Sequence, residues 1–223
     1  MLVSEPESPW ALQLAVRVEK AAPPLVAAVC RATVLATIAL LDDERSGPGG
    51  PWHEAVSTWN GVRIRKIVRR GRASAWERAQ GVDGVTIVHE GAEVRAFVPS
   101  RMNEAPREIT KLQIQATPLD EPEWDDELPA LDDGAMVVAV TPEVEMTWGK
   151  RAAQCAHAGQ LLWRDAPAER RSTWDDAGRL VVVIHPTRSL WQRIDAIAEV
   201  RVHDAGYTEI PPDTNTTRAW WAD

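Results

Sequence analysis

Four short segments in the first half of the chain recur, in the same order, in the second half. The matching pairs are "ALQLAVRVEK" (11–20) with "AMVVAVTPEV" (135–144), "AAVCRAT" (27–33) with "AAQCAHA" (152–158), "WNGVRIRKIVRRGRASAWER" (59–78) with "WDDAGRLVVVIHPTRSLWQR" (174–193), and "VHEGAE" (88–93) with "VHDAGY" (202–207). Cys30 and Cys155 occupy matching places in the second pair. Repeats of roughly 90–110 residues are too long for a solenoid and suit two small domains.

An acidic segment punctuated by prolines separates the two copies. It reads "TPLDEPEWDDELPALDD" (117–133) and holds eight acids and no base, which is typical of a linker. The sequence therefore predicts a first unit over 10–116, an acidic linker over 117–133 and a second unit over 134–223.

Each copy alternates β-branched apolar runs with helical segments, which predicts an α/β unit with a small mixed sheet. The predicted order is strand, long helix, polar loop, strand, short helix, strand, and a last strand or extended tail. The predicted ranges are long helices over about 22–41 and 148–164, strands over 62–69 and 179–185, helices over about 72–79 and 187–198, and strands over 85–89 and 199–203. Pro23 and Pro24 are placed at the start of the first long helix, and Thr147 is expected to cap the second.

The distribution of charge qualifies the net charge of −8, which by itself argues against a nucleic-acid partner. Outside the linker, acids and bases balance at 25 each, and the stretch "RIRKIVRRGRASAWER" (63–78) is strongly basic. Charge runs are usually solvated surface, but phosphate contacts provide much of the affinity for nucleic acids. This stretch is therefore the best candidate for a phosphate-binding surface.

The sequence also excludes several classes of protein. No apolar run is long enough to span a bilayer, and the first residues lack the basic-then-apolar order of a signal peptide. Five scattered histidines and two cysteines form no ligand spacing, so we expect neither a metal nor a cofactor. A chain with only two cysteines and no export signal is expected to be cytoplasmic, with both thiols reduced and no membrane partner.

The second long helix carries a polar stripe that the first lacks. Lys150, Gln154 and His157 are spaced by four and three residues, which brings them to one helix face. The corresponding positions of the first copy are Leu25, Val29 and Ala32. Near the end of the second copy, Asp204 likewise stands where the first has Glu90. We therefore expect a site in the second unit, and a packing or binding role for the first.

The motif "GKRAAQCAHA" (149–158), followed some 46 residues later by "DAGYTEIPPDTNT" (204–216), resembles the archaeal and eukaryotic type of peptidyl-tRNA hydrolase. The resemblance is clear over residues 134–218, whereas residues 10–115 show only a weak and degenerate version of it. It implies a small α/β/α sandwich that works as a dimer. This chain would then be two tandem three-layer α/β/α sandwich units forming an intramolecular pseudo-dimer. The implied partner is peptidyl-tRNA, and further self-association of the fused pair is left open.

By matching position, the resemblance implies a set of functional residues. The catalytic set is Lys150, Asp204, Thr216 and His157, and the substrate-binding set is Gln154, Thr208 and Thr214. Lys150 would supply charge to the oxyanion or to a phosphate, Asp204 would orient water or hold Lys150, and His157 would be an acid/base group. No Ser-His-Asp or Cys-His triad is evident, so we expect direct attack by water rather than a covalent intermediate.

The body of the tRNA would then meet Arg65, Arg69 and Arg70 in the basic stretch of the first unit. Asp213 stands where the family has glycine, and we expect the backbone there to lose a left-handed conformation. That departure leaves two alternatives open. One is a catalytically impaired protein of the same fold that binds tRNA or RNA, and the other is a protein-interaction platform.

Overall fold

A computed structural model describes residues 8–114, 118–120, 122–204 and 210–222. The elements of the first unit are β1 (Trp10–Arg17), α1 (Val26–Asp42), α2 (His53–Asn60), β2 (Lys66–Gly71), α3 (Ala73–Ala79), β3 (Gly84–His89), β4 (Ala92–Phe97), β5 (Ser100–Arg101) and α4 (Arg107–Thr110). Those of the second unit are β6 (Met136–Val140), α5 (Trp148–Asp165), α6 (Ala168–Asp176), β7 (Val181–Ile184), α7 (Arg188–Ile194), β8 (Val200–His203) and β9 (Asn215–Trp221).

The two sheets have the same topology. The first has the order β2-β1-β4-β3 and the second the order β7-β6-β9-β8, with β5 as a fifth strand beside β1 in the first sheet. In both, the first strand pairs in parallel with the second and antiparallel with the last. The predicted α/β class with two mixed sheets is therefore confirmed, and the two copies match strand for strand.

Helices cover both faces of each sheet. Strand residues alternate between the two faces, and here both faces carry apolar side chains that must be buried. In β6, Met136, Val138 and Val140 enter the main core, whereas Val137 and Ala139 pack in a separate cluster that includes residues of α7. The first sheet follows the same rule, with its outer face packed against α3 and α4. The inner faces of both sheets belong to one continuous core that contains α1 and α5. The two units therefore share their inner helical layer.

Two pairs of equivalent residues meet where α1 crosses α5. Cys30 and Cys155 are both fully buried free thiols. A hydrogen bond between the two thiols, together with burial, raises the pKa of Cys155 well above its ordinary value. Val34 and Gly159 are also equivalent and also touch. Residues contact their own equivalents only near a two-fold axis, so a local pseudo-two-fold axis passes through this crossing.

Two elements predicted as polar loops are helices. In α2 and α6 the polar residues outnumber the apolar ones, but each helix buries one tryptophan completely, Trp59 or Trp174. Trp59 Nε1 donates to Arg65 O at 3.0 Å, and Trp174 Nε1 donates to Leu180 O at 2.8 Å. These equivalent bonds join each helix to the start of the following strand, which sequence periodicity alone does not reveal.

The ends of the long helices follow their local chemistry. Thr147 caps α5 as predicted, because its Oγ1 accepts from the backbone N–H of Lys150. The first long helix, however, begins at Val26 rather than at Pro23 or Pro24, and Leu25 before it is extended. A residue that precedes a proline is disfavoured in the α conformation, which explains why Ala22 and Pro23 are not helical but not why Leu25 is extended.

Part of the acidic segment is anchored to the second sheet. Asp125 N donates to His185 O at 2.8 Å, and Thr187 N donates to Asp125 O at 2.9 Å. The Asp125 carboxylate also accepts from His185 N at 2.7 Å. The segment thus attaches at the carboxyl end of β7. The boundaries 10–116, 117–133 and 134–223 remain a proposed division of the chain.

The crossing of α1 and α5 predicts opposite effects at two glycines of α5. A Cβ added at Gly159 would lie 2.5 Å from Val34 Cγ1, whereas at Gly149 the nearest atom, in Val68, lies 3.9 Å away. We expect Gly159→Ala to lower the free energy of unfolding by about 1–3 kcal/mol, as overpacking does. Urea unfolding measures the change.

Gly149→Ala is the matched control and should be neutral or slightly stabilising, since alanine is the better helix former. In the double variant Val34→Ala/Gly159→Ala, the penalty of the second substitution should largely disappear. Equal effects of the two glycine substitutions would contradict the close crossing.

Candidate functional site

Three elements of the second unit bring four polar side chains into one network. Helix α5 presents Lys150 and Gln154, Asp204 follows β8, and Thr216 lies in β9. Asp204 Oδ2 accepts from Lys150 Nζ at 2.5 Å and from Gln154 Nε2 at 2.6 Å. Thr216 Oγ1 donates to Gln154 Oε1 at 2.8 Å. The structure thus joins residues that are more than 60 positions apart in the sequence.

The hydrogen bonds of Gln154 fix its orientation. The Asp204 carboxylate can only accept, so the amide nitrogen of Gln154 must face it, and the amide oxygen then accepts from Thr216. Gln154 itself is buried, as is Thr216. The carboxylate of Asp204 is therefore held by a rigid support rather than by Lys150 alone.

Low exposure strengthens the electrostatic interaction at the centre of the network. The side chains of Lys150 and Asp204 are only 15% and 9% exposed. An ion pair removed from water must be well hydrogen-bonded, because desolvation otherwise exceeds the Coulombic gain. A sheltered pair of this kind can present charge to a polar substrate with little competition from solvent.

The chain before Thr216 is closed by backbone hydrogen bonds. Asp204 N donates to Thr214 O at 3.0 Å, and Asp213 N donates to Asp204 O at 2.7 Å. Thr214 Oγ1 donates to Pro211 O at 2.8 Å, so this threonine stabilises the turn. Thr208 lies outside the described residues.

The expected loss of a left-handed conformation at Asp213 is wrong. Asp213 has φ of 63°, which lies in the left-handed region that glycine favours. Aspartate adopts this region more readily than most residues because its short polar side chain bonds locally. Here its carboxylate lies 3.1 Å from His203 Nδ1. The turn therefore keeps its backbone shape without the glycine.

Within residues 8–114, the first unit has no equivalent network. Its strands β3 and β4 are joined by a tight turn at Glu90 and Gly91, both with positive φ, as a two-residue hairpin requires. Val29 and Ala32, which replace Gln154 and His157, are completely buried in the core. Glu90 pairs with Arg31 instead of a helix lysine. The polar site is thus confined to the second unit.

A comparison with protein families identifies this unit. A family model described as peptidyl-tRNA hydrolase PTH2 matches residues 135–220. This segment is a PTH2 family domain. The matched range contains all four residues of the network and the whole second sheet except Trp221, the last residue of β9. Among curated proteins, none matches the chain.

His157 is on the α5 stripe of the PTH2 domain but outside the four-residue network. Its Nδ1 lies 3.4 Å from Lys66 Nζ in β2 of the first unit. Lys66 Nζ also donates to Gln160 Oε1 at 2.5 Å, and Gln160 Nε2 donates to Asn60 Oδ1 at 2.8 Å. The predicted stripe therefore divides into two clusters, one around Asp204 and one around Lys66.

Burial governs the titration of both bases in the second cluster. It lowers the pKa of Lys66 well below its ordinary value, and repulsion from Arg164 adds to the shift. Burial also lowers the pKa of His157, with further repulsion from Lys66 and Lys150. His157 is therefore neutral near pH 7.

Sequence reasoning missed Lys66, Gln160 and Asn60. Gln160 follows His157 by three positions and so continues the stripe, which is a signal that the sequence does contain. Lys66 gave no such signal, because it is one base among many in the stretch 63–78.

The three arginines proposed for tRNA binding differ in accessibility. Arg69 is buried, and its guanidinium donates to Gln13 Oε1 at 2.5 Å and to Leu112 O at 3.0 Å. It stabilises the first unit and is not available to a phosphate in this structure. Arg65 and Arg70 are partly exposed at or beside β2, the edge strand that packs on α5. Arg70 also bonds to Gln113.

An open cavity of about 650 Å³ lies at the carboxyl ends of the parallel strands β6 and β7. Its lining includes Trp124, Thr141, Glu143, Arg151, His185 and Arg188. Burial lowers the pKa of His185 to about 3, with Arg151 and Arg31 adding to the shift, and its Nε2 has no hydrogen-bond partner among the described residues. Thr141 N donates to Thr216 O, so the cavity adjoins the network.

No group of three or more metal-binding side chains occurs within the described residues. None of the helices they form is both long enough and apolar enough to cross a membrane.

The Lys150–Asp204 pair should be energetically coupled. In a double-mutant cycle of Lys150→Met and Asp204→Asn, we expect a coupling of about 1–3 kcal/mol in the free energy of unfolding, because both side chains are largely buried. The exposed pair Arg201–Asp195 gives the matched control, for which a coupling of about 0.2–1 kcal/mol is expected. Equal couplings in the two cycles would contradict the sheltered geometry.

Proposed function

We propose that this chain is a peptidyl-tRNA hydrolase with one active site, formed by Lys150, Gln154, Asp204 and Thr216. It cleaves the ester that joins a peptide, or an N-blocked amino acid, to the terminal ribose of tRNA. The observation that carries the proposal is the closed hydrogen-bond network within the segment that matches the PTH2 family.

The reaction adds a water molecule to the ester carbonyl carbon. The ribose oxygen then leaves and takes up a proton, which gives a peptide carboxylate and a free hydroxyl on the tRNA. Lys150 stabilises the negative charge that develops on the carbonyl oxygen. Asp204, fixed by Gln154, holds Lys150 and orients the water. His157, neutral near pH 7, is a proton carrier on the same helix.

The substrate needs a place for the tRNA end and for its body. The cavity at β6 and β7 adjoins the network, and Trp124 on its rim is 58% exposed and therefore available for stacking on a base. Arg65 and Arg70 belong to the unit that packs directly on α5, where they are suited to contact phosphates. The first unit thus contributes binding and the second contributes chemistry.

Activity should depend on the central ion pair. Lys150→Met and Asp204→Asn should each lower kcat/KM for N-acetyl-aminoacyl-tRNA by about 10²–10³-fold, the range for loss of a transition-state donor. Release of the labelled amino acid measures the rate. Lys111→Met, an exposed change on the first unit, is the control and should leave the rate unchanged.

The same assay separates the alternatives. Binding of this tRNA without turnover supports the impaired binding protein, whereas neither binding nor cleavage, together with a protein partner recovered from cells, supports the interaction platform. Hydrolysis that survives in both site variants would refute the proposed catalytic set.

Binding of the tRNA body should be electrostatic and should involve β2. In Arg65→Glu/Arg70→Glu, we expect weaker binding and a slope of log K against log salt reduced by about two, since each phosphate contact contributes just under one. Lys20→Glu/Arg78→Glu makes the same change in net charge outside β2. A slope that stays the same in the first variant, or falls equally in both, would exclude this surface.

A further inference from the structure

The Lys66 cluster consists of Lys66, His157, Gln160 and Asn60. It lies at one of two positions that the pseudo-two-fold axis makes equivalent. In the first sheet Leu12 pairs with Lys66, and in the second Met136 pairs with Val181. Lys66 and Val181 therefore occupy equivalent places in their sheets. The helix equivalence defined by Cys30 and Cys155 relates the remaining residues. His157 corresponds to Ala32, and Gln160 corresponds to Leu35.

The two equivalent positions have opposite chemistry. On one side, Lys66 of the first unit meets His157 and Gln160 of the second. On the other side, Val181, Ala32 and Leu35 are all buried members of the common apolar core. The fold can therefore fill this position with apolar side chains alone. A polar cluster here is not a requirement of packing.

Burying a lysine is costly, which makes its presence informative. Lys66 is only 7% exposed and has no carboxylate partner among the described residues. Its Nζ donates instead to two carbonyl oxygens, Ile64 O at 3.4 Å and Gln160 Oε1 at 2.5 Å, and lies 3.4 Å from His157 Nδ1. The Trp59 ring, with its centroid 5.1 Å from Nζ, adds a cation–π contact when the amine is charged. Even with these partners, burying an amine costs more free energy than burying the valine that fills the equivalent position.

Gln160 fixes the direction in which Lys66 acts. Its Nε2 donates to Asn60 Oδ1 at 2.8 Å, so its Oε1 faces Lys66. With Gln160 held in this way, Nζ remains beside the His157 ring. A donor at Nδ1 places the proton of neutral imidazole on Nε2, because only one ring nitrogen then carries hydrogen.

We propose that Lys66 is a positioning residue that the first unit supplies to the active site of the second, holding neutral His157 as the Nε2–H tautomer. The proposal rests on the proposed function for its effect on rate, but the tautomer can be observed without any activity. The first unit then has a role beyond tRNA binding, because His157 on α5 has its Lys66 partner only when the first unit is packed against that helix.

The direct test is nitrogen-15 NMR of the full chain, which distinguishes the two tautomers of neutral histidine. His157 is assigned by its loss in His157→Asn. In the wild type we expect the Nε2–H form, and in Lys66→Met a substantial population of the Nδ1–H form. The pKa of His157 should also rise in Lys66→Met, because one of the two cations that lower it, Lys66 and Lys150, is gone. An unchanged tautomer in Lys66→Met would overturn the proposal.

Kinetics provide the second readout. Lys66→Met should lower kcat/KM by about tenfold, which is part of the 10²–10⁴-fold rate enhancement that a general acid or base contributes. The acid limb of the pH profile of kcat/KM should also move to higher pH. Lys66→Met should have no further effect in a His157→Asn background, since a residue that acts through another is not additive with it. Additive losses would overturn the proposal and indicate a structural role. Lys66→Val repeats the test with the residue found at the equivalent position, Val181, which the fold is known to accommodate.

The failures of the two proposals are distinguishable. A wild-type chain that does not hydrolyse N-acetyl-aminoacyl-tRNA defeats the proposed function, while the NMR spectrum still decides whether Lys66 sets the tautomer. If Lys66→Met hydrolyses the substrate with the rate and pH profile of the wild type, the proposed function stands and the proposed role of Lys66 is rejected.

Discussion

The crossing of α1 and α5 is the contact on which the rest of the structure depends. Small residues allow the two helices to approach closely enough to share one layer between two sheets. That layer joins two units, each of which covers its outer face separately, into one core. Because α5 also carries Lys150 and Gln154, the site of the second unit lies on the same helix that joins the two units.

The two halves illustrate how identical topology can support different chemistry. In the first unit a two-residue turn at Glu90 and Gly91 joins the last two strands, and apolar side chains fill the space beside α1. In the second unit eleven residues, 204–214, separate β8 from β9, and the carboxylate of Asp204 at their start meets a helix lysine. The difference is one of loop length and of a few side chains, while the sheets themselves are unchanged.

Much of this architecture was predictable from the sequence. The repeated segments indicated two matching units, and the spacing of Lys150, Gln154 and His157 indicated a common helix face. Helices α2 and α6 could not be predicted well, because α6 buries only Trp174 and α2 only Trp59 and Val56, too few residues for a recognisable apolar stripe. The separation of His157 from the Asp204 cluster was also hidden, since it depends on Lys66 from the other unit. The roles of Arg69 and Asp213 likewise depend on burial and backbone angle, which residue identity does not reveal.

The pairing of Val34 with Gly159 has a consequence for how the chain can assemble. At the two-fold axis of a symmetric homodimer each residue lies opposite its own copy, so a bulge and a matching hollow cannot both occur there. Covalent linkage removes that restriction and lets the halves become complementary rather than identical. Two second halves brought together would leave a void between their glycines, and two first halves would collide at their valines. Each half is therefore shaped to prefer its own neighbour over a copy of itself.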